Sequence, residues 1–173
     1  MSRRWCRCHL PCIRFESCEQ VWMAVCGLLS LVIAFIVRAA AGSPYRVISY
    51  CSLQNIIPPV WVMVFSWIIW YLTLGGVIGS VLGSHYCRDE VAKYKGGMLF
   101  VLMMALGYVW YPLFFGAAAL FFALLIAEAV LTLSILCAFI FMRVKKWAAW
   151  AMFCFSVWMA YMVIINIMCV FAQ

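Results

Sequence analysis

The sequence predicts an all-α membrane protein, a bundle of five transmembrane helices. Three observations predict it: the charged residues fall in clumps, the runs between the clumps are long and apolar, and the basic clumps fall almost entirely on one side of five spans. Of 173 residues, 12 are Lys or Arg, 5 are Asp or Glu, and 70% are hydrophobic. So short a chain has too little interior to hide that much apolar surface from water. The bilayer is therefore its expected solvent, and a spanning helix needs about 20 apolar residues at 1.5 Å of rise each. Spans are expected near 21–41, 57–84, 97–117, 120–142 and 147–171. They form one membrane domain over 21–173, behind a basic, cysteine-rich N-terminal segment over 1–20.

With five spans, Arg3, Arg4, Arg7 and Arg14, then Arg88, Lys93 and Lys95, then Arg143, Lys145 and Lys146 all face one side, and only Arg38 and Arg46 face the other. The positive-inside tendency places the N-terminus on the cytosol-like side and the C-terminus opposite. The net charge of +7 is accounted for by this topology and by anionic headgroups. Membrane lipids are expected partners; nucleic acid is not, because no soluble surface is left to carry a basic groove.

The first span follows a basic segment and ends at Ala39-Ala40-Ala41, which resembles a signal peptide with its cleavage site. It is read as retained, because the apolar stretch from Val21 to Val37 exceeds a usual h-region and Arg38 interrupts the approach to the alanines. Cys6, Cys8, Cys12, Cys18 and Cys26 lie near His9, but their spacings lack the C-x2-C pairs that structural zinc favours. Unmodified thiols, juxtamembrane acylation and a metal site are the three readings, and no metal is expected. The other five cysteines read as small buried hydrophobes.

The second span opens at Pro58-Pro59, where proline is tolerated because the first helical N–H groups have no intrahelical partner. Further along, Gly75, Gly79 and Gly83 recur every four residues beside Gly76, Ser80 and Ser84, leaving one face of the helix nearly bare backbone. Such a stripe lets a second helix approach closely in lipid; that helix belongs either to the same chain or to a second copy. From Gly96 to Met142 only Glu128 is charged, and this run is too long for one span, so a turn is expected at Gly116-Ala117-Ala118-Ala119. Pro112, just before it, is expected to kink or end the third helix by removing a backbone hydrogen bond.

The two histidines, His9 and His85, lie outside the spans. That excludes bis-histidine haem ligation, a serine–histidine intramembrane protease and an H-E-x-x-H metalloprotease. Glu128 is the one acid at membrane depth. A carboxylate there costs about 2.5–3.5 kcal/mol on insertion scales, so it is either a functional polar site or a hydrogen-bonding partner of a neighbouring helix. Trp22, Trp147 and Trp150 sit at span ends as interface anchors, whereas Trp67, Trp110 and Trp158 fall inside the second, third and fifth spans. At 1.5 Å per residue all three lie roughly 10–20 Å below the same surface. Trp67 with Trp70 and Tyr71, Trp110 with Phe114, and Trp158 with Tyr161, Met162, Ile165 and Asn166 follow helical spacing. Each helix thus has one aromatic face, and together these faces form either a cavity for a planar hydrophobic ligand such as a porphyrin or sterol or an aromatic core.

These residues resemble the translocator protein family, also called tryptophan-rich sensory proteins or peripheral-type benzodiazepine receptors. The resemblance rests on Pro58-Pro59-Val60-Trp61 followed by Trp67 and Tyr71, on Trp110-Tyr111-Pro112-Leu113-Phe114-Phe115-Gly116, and on Trp158-Met159-Ala160-Tyr161 followed by Asn166. It runs from about Ile56 to the C-terminus with order and spacing kept. It implies a five-helix bundle, often a homodimer, that binds porphyrins, cholesterol and synthetic aromatic ligands in a pocket capped by the loop over 42–55. Carried over by position, the pocket comprises Trp67, Trp110, Phe114, Phe122, Ala123, Trp158, Met162, Ile165 and Asn166. The chain departs from the family pattern at Gly107 (a family asparagine), Phe122 (a tryptophan), Ile126 (an acid) and Cys154 (a proline). The basic, tyrosine-containing sterol motif of the family C-terminus has no counterpart before Gln173, and Leu82, Tyr86 and Arg88 match that loose pattern only elsewhere. Porphyrin is therefore the better supported ligand.

The expected function is a membrane receptor or carrier for a flat hydrophobic ligand, a porphyrin or a sterol, with no obligatory cofactor. No dedicated enzymatic turnover is expected; slow porphyrin-degrading chemistry near the tryptophans would fit some family members. The alternatives are a structural or interaction protein whose glycine stripe drives oligomerisation, and a small proton-coupled transporter using Glu128. The resemblance implies the mitochondrial outer membrane in a eukaryote and the cell envelope in a bacterium.

Overall fold

The computed structural model describes residues 15–41, 58–83 and 90–171. Five helices run in order: α1 (Phe15–Ala41), α2 (Val60–Gly83), α3 (Glu90–Tyr111), α4 (Leu120–Val144) and α5 (Lys146–Phe171). Each is long and apolar enough to cross a membrane, and no strand occurs among the described residues. The chain is an integral, multi-pass membrane protein built as a five-helix bundle. His9 and His85, Cys6, Cys8 and Cys12, most of the Leu82, Tyr86 and Arg88 pattern and the 42–55 loop lie outside the described residues, as does the side chain of Cys18. Cys26, Cys137 and Cys154 are free thiols, whereas Cys169 is disulfide-bonded.

Consecutive helices pack as antiparallel neighbours. α1 lies on α2, α3 on α4 and α4 on α5, while α2 also closes against α3 and α5. The glycine stripe of α2 makes the first of these contacts. A Cβ on Gly75 would stand 2.5 Å from the Gly27 Cα and 2.6 Å from the Ser30 Oγ of α1, and one on Gly79 would stand 2.5 Å from the Trp22 carbonyl oxygen. The two backbones therefore touch, as small-residue faces permit in lipid. Ser30 turns this contact into a junction of three helices. Its hydroxyl donates to the Tyr71 carbonyl of α2 at 2.6 Å, and its own carbonyl accepts from the Tyr108 hydroxyl of α3 at 2.9 Å. Tyr71 and Tyr108 stack at 5.4 Å with their planes 7° apart.

The other half of the bundle is held by α4 and α5. Lys145 is the single extended residue between them, with φ −153° and ψ 114°, and its ammonium pairs with Glu19 of α1. Ser134 and Ser156 share a buried hydrogen bond of 2.8 Å across the two helices. The turn between α3 and α4 falls at Ala117–Ala119, with Ala118 at φ 51°. As expected, the α-helical hydrogen bonding of α3 ends at Tyr111, immediately before Pro112, and the chain continues into a wider turn. The Pro112 carbonyl accepts from the Ala117 N–H at 2.9 Å, five residues on, so Pro112–Gly116 forms one wide π-helical turn. Such turns accommodate an interrupted hydrogen-bond ladder, and this one buries both Phe114 and Phe115.

Candidate functional site

The three intramembrane tryptophans converge. The Trp67 ring lies 5.6 Å from Trp110 and 6.3 Å from Trp158, the second contact edge-on at 83°. Trp110 stacks on Phe114 at 5.2 Å and meets Phe115 edge-on at 6.0 Å. These are distances of direct aromatic packing. Below them a small void persists beside Leu74, Met103, Gly107 and Met159. It borders the position where the family asparagine is replaced by Gly107, and a Cβ there would meet nothing within 4 Å.

The other expected site residues distribute around this cluster. Phe114, Ala123, Met162, Ile165 and Asn166 are buried in the core. Asn166 is fully enclosed: its Oδ1 accepts from the Trp110 indole N–H at 3.4 Å, and its amide nitrogen donates to the Met162 carbonyl at 2.7 Å. That satisfies the indole within the protein. Phe122, 62% exposed, faces away from the bundle and packs on Phe121. Glu128 is exposed on the outer surface of α4, where its backbone carbonyl accepts from Thr132. Such placement sets it apart from the aromatic cluster. Replacing Glu128 with glutamine is accordingly expected to leave ligand affinity within about twofold and to raise stability in a bilayer, by up to the few kcal/mol that a lipid-facing carboxylate costs; ligand titration and thermal unfolding of the variant in nanodiscs check both parts.

A further cleft lies on the α1 side of Trp67. It is shallow, runs between α1 and α2 and is bordered at one end by the π-helical turn. Its α1 wall is Leu31, Ala34, Phe35, Val37 and Arg38; its α2 wall is Met63, Val64, Trp67, Ile68 and Tyr71; Tyr111 and Phe115 complete it. The lining is apolar and aromatic with few polar groups, the character of small-molecule sites in general.

Two indole nitrogens of the cluster, those of Trp67 and Trp158, are buried with no hydrogen-bond partner among the described residues. An unpartnered donor in apolar surroundings costs about 1–3 kcal/mol, and an acceptor on a ligand would relieve it. Trp67 lines both the cleft and the small void. Arg38, Tyr111, Phe115 and the α1 wall were not expected in a site. Arg38 entered the sequence reading as a marker of topology, although its place among apolar residues four positions after Ala34 was the available signal.

Among the described residues no group of three or more His, Cys, Asp or Glu side chains is arranged to hold a metal. Comparison with curated proteins and with solved structures gives no match. The model of the TspO/MBR family, by contrast, matches residues 22–171, nearly the whole chain and all five helices; the chain belongs to the TspO/MBR family, and with it to membrane sensory and transport proteins.

Proposed function

We propose that the protein binds a flat, largely apolar ligand drawn from the bilayer, a porphyrin-class tetrapyrrole before a sterol, and carries it or reports its presence. The observation that carries this reading is the aromatic cleft between α1 and α2, with Trp67 as its inner wall. A planar ring laid against Trp67 and Tyr71 gains stacking area, and the unpartnered Trp67 N–H offers a donor to an acceptor on the ligand. Binding without dedicated turnover is the proposed activity. The proposed location is the mitochondrial outer membrane in a eukaryote and the cell envelope in a bacterium. A homodimer would pair through a face other than the glycine stripe, because α1 of the same chain covers it.

Titrating the purified protein with protoporphyrin IX while following tryptophan fluorescence tests the reading. Saturable quenching is expected, with Trp67→Phe weakening apparent affinity by about fivefold to tenfold, on the order of 1–1.4 kcal/mol. Linear quenching that no substitution in the cleft alters would mean partitioning into detergent, and would favour a structural protein in which the aromatic rings only pack.

A further inference from the structure

We infer that the α1–α2 cleft selects amphipathic carboxylates over their neutral counterparts, with Arg38 as the residue that reads the charge; this rests on the ligand-binding reading above and names the class of ligand. Arg38 lies in the last turn of α1 and lines the cleft, half-buried among Phe35, Val37 and Tyr111. Among the described residues no carboxylate pairs with it, and the Lys145–Glu19 ion pair lies at the opposite end of the bundle.

The sequence explains why no acidic side chain is near. Its five acids are Glu16, Glu19, Asp89, Glu90 and Glu128. Four belong to the opposite side; along α1 alone, Glu19 and Arg38 are separated by roughly 28 Å at 1.5 Å per residue. Glu128 faces outward from α4. The segment over 42–57 contains Arg46 and no acid, so the cleft end of the protein has positive side-chain charge and no side-chain carboxylate to balance it. The carbonyl end of α1 offsets a part of the Arg38 charge, but a helix end is not a fixed counter-ion.

The polar lining of the cleft leans the same way, its Tyr71 and Tyr111 hydroxyls being able to donate as well as accept. Arg38 brings only donors, and Trp67 adds an indole N–H without a partner. An ionised carboxylate is acceptor-only, and a guanidinium fork matches its two oxygens in plane. An apolar body would lie between Phe35 and Trp67, with its carboxylate held beside Arg38 near the membrane surface. Phe35 is 52% exposed, so the cleft is open to the lipid side and an amphiphile can enter from the bilayer with its head at the interface. A sterol or an ester supplies the body but not the charge.

The test compares protoporphyrin IX with its dimethyl ester in nanodiscs of phosphatidylcholine, using wild type, Arg38→Gln and Arg38→Lys. The acid is expected to bind wild type at least tenfold more tightly than the ester. In Arg38→Gln that gap is expected to shrink below about threefold, because the acid weakens while the ester does not, and Arg38→Lys is expected to keep part of it. Ester binding also reports that the variants are folded. Equal binding of acid and ester to wild type, or an unchanged gap in Arg38→Gln, would overturn the charge assignment while leaving the ligand-binding reading intact. Failure of both compounds to saturate wild type would overturn both. Loss of the gap when phosphatidylglycerol is added at constant ionic strength would assign Arg38 to lipid headgroups and overturn the inference as well.

Discussion

Gly75→Ala will destabilise the bundle by about 3 kcal/mol, the upper end of the usual overpacking range. The added methyl would meet backbone, not the far end of a flexible side chain: the Cys26 carbonyl oxygen, the Gly27 Cα at 2.5 Å and the Ser30 Oγ at 2.6 Å. Neither helix can yield locally, so α1 must move away as a body. That movement would also break the Ser30 hydrogen bonds to Tyr71 and from Tyr108. Gly79→Ala is expected to behave alike, since its Cβ would lie 2.5 Å from the Trp22 carbonyl oxygen and 2.7 Å from the Met23 Cα. Gly97→Ala is the control, with nothing within 4 Å of its Cβ; as a helical glycine it should gain stability slightly. Thermal unfolding of the three variants in detergent checks the order. Because α1 exposes Val21, Val25, Leu28, Val32 and Ile36 to lipid and meets the bundle along a narrow strip, its displacement would also remove the α1 wall of the cleft. Ligand affinity should fall with stability in Gly75→Ala and Gly79→Ala, and in neither respect for Gly97→Ala.

The five helices were legible because charge and apolar length are read directly by the bilayer, and both are written along the chain. The α3–α4 turn was legible for the same reason: an apolar run too long for one span must fold back, and small residues after Pro112 mark where. Pro112 itself was only half legible. Removing its N–H predicts a disturbed helix, but whether the helix ends or widens depends on what Phe114 and Phe115 gain by burial, which is a tertiary matter. The glycine stripe predicted a close helix contact without naming the partner. Choosing α1 of the same chain required knowing that Gly27 and Ser30 offer a matching small face.

The site was legible as a cluster and not as a shape. Helical spacing correctly indicates that Trp67, Trp110 and Trp158 face inward at one level, but inward-facing rings enclose a cavity only if their summed volume falls short of the space available. At ring separations of 5.6 and 6.3 Å the three indoles are in direct contact, and only a small void remains beside Trp67 and Trp110. A further cleft opens between α1 and α2 beside Trp67, and no periodicity in either helix encodes it. Arg38 illustrates the same limit. A basic residue at a span end has a sufficient explanation in topology, and only the neighbouring Phe35 and Trp67 side chains show that it also borders a cleft.

Substitutions at Trp110 and Trp67 are expected to separate core from site. Trp110 is 1% exposed and is the largest fully buried side chain among the described residues. Trp110→Ala would leave a cavity beside Trp67, Phe114 and Phe115, and such truncations of large aromatics cost about 3–5 kcal/mol. It would also strand the Asn166 Oδ1, adding about 1–3 kcal/mol for a buried acceptor left without its donor. The protein is expected to be recovered poorly or to unfold at markedly lower temperature. Trp110→Phe keeps an aromatic ring against Phe114 and should lose only about 1–3 kcal/mol, mainly from the same stranded acceptor. Because Trp110 does not line the α1–α2 cleft, Trp110→Phe should retain porphyrin affinity within about threefold despite this loss. Trp67→Phe should do the reverse: its indole N–H has no partner to lose, so stability should change little, while affinity falls. Paired thermal-unfolding and titration curves for the two variants decide the matter. The opposite pattern, affinity lost in Trp110→Phe and kept in Trp67→Phe, would mean that the ligand parts the tryptophan cluster instead of resting in the cleft beside it.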